Sequence, residues 1–138
     1  MRVTFDSNVF ITYRVNPNEL ARSVRFSAVV IQELAAGAWD SVEVRVWEAV
    51  RAEYEAAGRL LVPTGEDWWF AGKVLNSLLR DPAQRQKIAP DEQRCLVRDT
   101  LIARTCKRDG VTLVTADGDF QKIQRFCAFK LIHPKDYF

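Results

Sequence analysis

Apolar positions along the chain change period several times, and each change marks an element. Val3-Thr4-Phe5 is a short apolar run ending at an acid, Asp6, and reads as a first strand. Asp6 opens a helix to about Tyr13, which Asn16-Pro17-Asn18 breaks. Val24 to Phe26 predicts a second short strand. Ser27 is placed to cap a helix over Ala28 to Ala36 that stops at Gly37. On that helix Glu33 lies four residues after Val29 and three after Val30, so it shares their apolar face. Asp40 and Glu43 have capping-box spacing, and the helix they begin runs to Ala57 before Gly58. Arg59 to Val62 reads as a strand stopped by Pro63. Thr64 or Glu66 then opens a helix through Trp68, Trp69, Ala71, Val74, Leu75, Leu78 and Leu79.

Asp81 to Pro90 is polar and lacks apolar periodicity, so with its Arg85 and Lys87 it reads as a surface connection. Pro90 and Asp91 fit a helix start, and Gly110 lies just beyond its end. At 100° per residue Cys95, Leu96, Ile102, Ala103 and Cys106 form one stripe, and Asp99 falls near its middle. Val111 to Thr115 is a continuous apolar strand, Ala116-Asp117-Gly118-Asp119 a turn, Phe120 to Gln124 a short helix and Phe126 to Ile132 a last strand. This alternation predicts an α/β fold. A three-layer α/β/α sandwich would be built on a mostly parallel sheet of four to five strands, as one domain over residues 1–138.

Composition narrows the function. Hydrophobic residues make up 48% and charged ones 28%, a globular balance, and a net charge of +2 neither demands nor opposes a nucleic-acid partner. No run reaches the roughly 18 apolar residues of a membrane span, and the N-terminus lacks a signal-peptide layout, so a cytoplasmic protein is expected. Cys95, Cys106 and Cys127 have no metal-site spacing and read as reduced core residues. The single histidine, His133, makes a zinc site or a histidine-based triad improbable.

Four acids stand out: Asp6 and Asp117 after strands, Glu33 and Asp99 on apolar helix faces. Each admits a plainer role. Asp6 and Asp117 can cap helices, Glu33 can reach the rim or pair with Arg22 or Arg25, and Asp99 can pair with Arg98 or Arg94. Asp119 stands between an auxiliary acid and a turn residue. The mid-stripe position of Asp99 fits its plainer role least. An ionised carboxylate on an apolar face costs several kcal/mol unless paired or metal-bound. Crowded carboxylates also raise each other's pKa values. A hard divalent cation such as Mg²⁺, which takes oxygen ligands, relieves both. Together the four acids favour a metal site.

In order along the chain, these residues resemble the PIN domain family, and within it the stand-alone VapC-type toxins of prokaryotic toxin–antitoxin pairs. Phe5-Asp6-Ser7-Asn8-Val9-Phe10-Ile11 resembles that family's D-[ST]-N-hydrophobic opening, and Glu33-Leu34-Ala35-Ala36-Gly37 its E-L-x-x-G. Asp99-Thr100-Leu101-Ile102-Ala103 resembles its D-x-x-I-A, and Leu113 to Phe120 its L-V-T-x-D-x-D-F. Pro63 to Val74 is similar to a subset of the family. Arg98 departs from the pattern, standing where a small polar residue is common; it adds a phosphate contact or a salt bridge.

The resemblance implies an endoribonuclease dependent on Mg²⁺ or Mn²⁺. Its catalytic acids would be Asp6, Glu33, Asp99 and Asp117, with Asp6, Asp99 and Asp117 on the metal. Ser7, Asn8, Thr115 and Asp119 would support them. A basic rim for RNA would draw on Arg14, Arg22, Arg25, Arg94 and Arg98, of which Arg94 and Arg98 are the candidate RNA contacts. The family also implies an antitoxin protein partner and a homodimer. The exposed side of the third and fourth helices, near Trp47, Tyr54 and Trp68, is the candidate antitoxin groove, with core packing as the other reading of those rings. One of Trp68 and Trp69 is expected in the core. Two rivals stand beside the nuclease. One is a non-catalytic module on the same fold that binds RNA or a protein. The other is a haloacid-dehalogenase-type phosphatase, whose second acid two residues after the first is here Asn8.

Overall fold

The computed structural model describes residues 1–85 and 88–138. Five short strands are all paired in parallel: β1 (Val3–Phe5), β2 (Phe26–Ser27), β3 (Leu60–Leu61), β4 (Thr112–Val114) and β5 (Lys130–Ile132). One sheet runs β1-β4-β5 and a second β2-β3, and an isolated parallel bridge between Val3 and Val24 joins them. The order across the molecule is therefore β3-β2-β1-β4-β5. The chain moves outward from β1 to β3, then returns to build on the other side of β1. The reversal falls between β1 and β4, and the crevice at the carboxyl ends of such strands is where open parallel sheets bind ligands. Every residue of β1 and β4 is buried, so both faces of the central strands are covered by helices, as the alternating pattern predicts.

The helices are α1 (Ser7–Thr12), α2 (Ala28–Ala36), α3 (Ser41–Ala56), α4 (Gly65–Arg80), α5 (Pro82–Arg85), α6 (Pro90–Asp109), α7 (Phe120–Ile123) and α8 (Pro134–Tyr137). Their ends follow the sequence signals closely. Ser27 caps α2 through Val30 N–H, and Asp40 caps α3 through Glu43 N–H. The Glu43 carboxylate reaches one residue further back than a capping box requires, accepting from Trp39 N–H at 2.8 Å. Thr64 and Asp67 form the reciprocal box at the start of α4. Gly110 ends α6 at φ +63°, the left-handed conformation that glycine adopts without strain.

Several expectations are corrected. The last strand is only Lys130–Ile132, not Phe126 to Ile132. The amides of Phe126 and Cys127 continue the turn of α7 by donating to Ile123 O, and Gln124 holds Phe129 O, so this backbone has no capacity left for a ladder. The second strand is Phe26–Ser27, with Val24 reduced to a bridge, and the third is Leu60–Leu61, with Val62 O taken by Arg108. The connection after α4 contains the short helix α5, while Lys87 lies outside the described residues.

Trp47 and Tyr54 are core residues, 7% and 4% exposed, and line no surface groove. With Val50 they form the buried face of α3, and their rings meet Phe10 and Phe26 at centroid distances of 5.3–6.2 Å. Neither Trp68 nor Trp69 is core, at 57% and 70% exposed. The buried positions of α4 are Asp67, Ala71 and Val74, and the two tryptophans point about 100° and 200° away from Asp67. Cys106 and Cys127 are buried as expected, whereas Cys95 is exposed. The fully buried part of α6 begins at Asp99; the preceding turns carry Arg94, Val97 and Arg98 along an open groove.

Candidate active site

Asp6 sits at the carboxyl end of β1, where its amide donates to Val114 O of β4 at 3.0 Å. Its Oδ1 accepts from Ser7 N–H at 2.8 Å and caps α1, so the plainer reading of this acid as a helix cap also holds. Its Oδ2 accepts from Thr115 Oγ1 at 2.8 Å and from Asn8 Nδ2 at 3.0 Å. Thr115 Oγ1 in turn accepts from Asn8 Nδ2 at 3.1 Å and Asp117 N–H at 3.0 Å. One hydroxyl thus ties the ends of β1 and β4 together. Asn8 Oδ1 closes the ring by accepting from Ala116 N–H at 3.3 Å.

Glu33 comes in from α2. Its Oε2 accepts from Ser7 Oγ at 3.3 Å and from Arg98 Nη1 at 3.0 Å, and its Oε1 is buried without a hydrogen-bond partner. Asp99 arrives from α6 and is 3% exposed. Its Oδ1 receives Arg98 Nε at 3.2 Å and Nη2 at 3.0 Å. Asp117 is partly exposed in the turn after β4, with Oδ1 accepting Asp119 N–H at 2.9 Å. The Asp119 carboxylate faces Lys122 at 3.5 Å, and its backbone N–H donates to Asp117 Oδ1 in the turn.

The electrostatics record crowding. Burial pushes the Asp6 carboxyl above its ordinary value; Thr115, the Ser7 amide and Arg98 pull the other way, and Asp117 adds to the rise. Burial also raises Glu33, with Arg98 opposing and Asp6 reinforcing. Asp99 is pushed up to about 7, first by burial and then by the charges of Asp6 and Asp117, despite Arg98 beside it. Asp117 thus lies near enough to act on Asp6 and Asp99, and Asp6 near enough to act on Glu33 and Asp99.

The donors are all carboxylate oxygens, and one of them, Glu33 Oε1, is buried and unsatisfied; this chemistry fits a hard divalent cation. Among the described residues no three acid, histidine or cysteine side chains converge closely enough to hold an ion as they stand. The cation that stands between Glu33 and Asp99 is Arg98.

Arg98 lines a groove of about 410 Å³ together with Arg94, Val97, Val29, Pro63 and Trp68. Both candidate RNA-contact arginines thus lie on one wall, Arg94 exposed and paired with Asp91. Arg25 turns back onto Arg22 O at 3.0 Å instead of meeting Glu33. A second acid–arginine cluster carried no sequence signal beyond the Thr64–Asp67 spacing. Asp67, 2% exposed, accepts from Thr64 N–H at 2.9 Å, Arg104 Nε at 3.2 Å and Arg108 Nη1. Those arginines lie five and nine positions beyond Asp99 on α6.

A sequence model of the PIN domain matches residues 3–125. The chain belongs to the PIN domain family. Among solved structures, this PIN domain is similar to FitAB bound to IR36 DNA fragment, with a TM-score of 0.58 and 21% identity over 96% of this chain and 94% of that chain. It is also similar to VapBC-1 from nontypeable Haemophilus influenzae, with a TM-score of 0.55 and 18% identity over 96% of this chain and 98% of that one. A third, VapBC2 from Rickettsia felis bound to a DNA fragment from their promoter, gives a TM-score of 0.52 at 18% identity over 96% and 98%. At these identities the likeness is one of fold. Among curated protein sequences, none matches.

Proposed function

We propose that this PIN domain is an endoribonuclease dependent on Mg²⁺ or Mn²⁺ and the toxin of a type II toxin–antitoxin pair. The observation that carries the reading is the meeting of Asp6, Glu33, Asp99 and Asp117 from four separate segments at the β1/β4 switch point. There burial and mutual repulsion hold Asp6, Glu33 and Asp99 above their ordinary pKa values. Asp6, Asp99 and Asp117 would hold the ion, and Glu33 would complete the set. When bound, the ion polarises a scissile phosphate and acidifies a water.

The rest of the work falls to the chain. Thr115, Asn8 and the Ser7 amide fix Asp6 in one orientation. Glu33, its Oε1 unpartnered and its pKa raised, is suited to orient an attacking water and accept its proton. Arg94 and Arg98 give the groove wall a positive edge for an RNA backbone.

An antitoxin and a second copy of the chain are the partners we propose, by extension from the FitAB and VapBC assemblies. Trp39, Val42, Trp68 and Trp69, at 93%, 62%, 57% and 70% exposed, are the surface such partners would cover. Among the described residues no helix is long and apolar enough to cross a membrane; a cytoplasmic location belongs to the same proposal, as the place where a toxin of this kind would meet RNA. The test is cleavage of an RNA panel with Mg²⁺, with cut ends mapped by sequencing. Wild type should cut, and Asp6→Asn and Asp99→Asn should not. Equal cutting by all three rejects Asp6 and Asp99 as the acids of the reaction and with them the proposed metal-site mechanism, and no cutting by any leaves the non-catalytic module on this fold.

A further inference from the structure

Arg98 spends its donors on the acids. Nη1 binds Glu33 Oε2 at 3.0 Å, while Nη2 and Nε both bind Asp99 Oδ1, at 3.0 and 3.2 Å. It satisfies one oxygen of each carboxylate and leaves Glu33 Oε1 buried and unpaired. Among the described residues no other arginine, lysine or histidine forms an ion pair with Asp6, Glu33, Asp99 or Asp117. The side chain is also not sealed in: it is 31% exposed and lines the open groove beside Trp68 and Arg94. A guanidinium carries one charge and delivers it along fixed donor directions. A divalent ion carries two and uses the same oxygen lone pairs. At Glu33 and Asp99 the two like charges would compete for the same pair of carboxylates.

We propose that Arg98 is an exchangeable counter-cation: in the metal-free protein it bridges Glu33 and Asp99 and offsets part of their charge, and a divalent ion binds by displacing it toward the groove. This rests on the metal site of the proposed function. It makes Arg98 a positioning residue whose presence weakens metal binding, because the ion meets a resident positive charge at the oxygens it needs. Since Arg98 adjoins Asp99 in sequence, the displaced guanidinium stays at the rim of the same groove.

Calorimetric titration of Mn²⁺ into the full chain tests this, with thermal melting of the metal-free protein as a second readout. Arg98→Gln should bind Mn²⁺ roughly tenfold more tightly than wild type, since a nearby unit charge is removed. It should melt lower without metal and regain the loss when Mn²⁺ is added. Arg98→Lys, which keeps the charge but loses the fork of donors, should fall between the two. It also serves as the measured variant if Arg98→Gln does not fold. Unchanged or weaker Mn²⁺ binding in the folded variants overturns the role of Arg98 while leaving the metal site standing. No Mn²⁺ binding by wild type or variants overturns both.

Discussion

Asp67 and Asp99 are both buried aspartates packed at α6, yet the chain treats them in opposite ways. Asp67 receives a backbone N–H from Thr64 and the guanidinium groups of Arg104 and Arg108. Burial pushes its carboxyl up, but those donors more than offset that, and its pKa lies below the ordinary value. Asp99 has one guanidinium, shared with Glu33, and faces Asp6 and Asp117; its pKa rises to about 7. Two arginines converge on the one buried acid of the first cluster, with Glu66 and Asp109 only at 3.9 Å on its exposed side, and one arginine touches two of four acids in the second. A fully compensated carboxylate fastens α4 to α6. An under-compensated group leaves room for a further cation. Burial is common to both, so charge balance is what separates the fully paired cluster from the candidate site.

Four experiments break or sharpen that contrast. The largest effect should come from Asp99→Asn: RNA cleavage falls by at least about 10²-fold in an initial-rate assay, while metal-free stability stays the same or rises because a like charge leaves the cluster. Loss of stability comparable to that of an Asp67 variant would put Asp99 in the structural class. Next is Asp67→Ala, which leaves Arg104 and Arg108 without their acid and should cost about 3 kcal/mol in urea unfolding. Its Mn²⁺ affinity, measured on the folded protein, should match wild type.

The third is the pH dependence of stability in chelator, where the clusters have opposite signs. For Asp99 the native pKa lies above the unfolded one, so the native state holds the extra proton. Stability is then lost as pH rises from about 4 to about 7. For Asp67 the native pKa lies below the unfolded one. Its contribution is present above the unfolded value near 4 and is lost as pH falls through the lowered native value. Asp99→Asn should flatten only the first slope and Asp67→Asn only the second, read from melting temperatures across pH. The smallest effect should come from Trp68→Ala on the groove wall, which at 57% exposure should shift stability by no more than about 0.5 kcal/mol in urea.

The sheet was readable from the alternation of apolar runs, and the candidate acids stood out because Asp6 and Asp99 sit at breaks in that pattern. Asp6 ends an apolar run, and Asp99 interrupts a helical stripe whose neighbours Ile102, Ala103 and Cys106 are buried as that stripe requires. Ser27, Thr64 and Gly110 announced helix ends through the same local chemistry that the structure uses. What was not readable depended on how elements are placed. The stripe on α6 does not say where the packed part of the helix stops, so Cys95 looked like core. One of Trp68 and Trp69 is expected in the core, yet Asp67 takes the inward position of α4 through arginines more than thirty residues away. Arg98 was one of two offered partners for Asp99, but its second bond, to Glu33 on α2, is a tertiary fact that no spacing carries.

Thr115 Oγ1 donates to a carboxylate 109 positions earlier in the chain. That single bond sets a schedule. At roughly 5–20 residues per second of synthesis, Asp6 waits several seconds or more before Thr115 exists to orient it. Closing so long a loop is slow in folding terms as well. Until β4 emerges and docks beside β1, Asp6 and Asp117 have no common address. A chain released before about its last fifth would carry Asp6, Glu33 and Asp99 but not the Thr115 bond that orients Asp6. If the proposed ribonuclease reading holds, the site would stay incomplete while most of its own message is still being read.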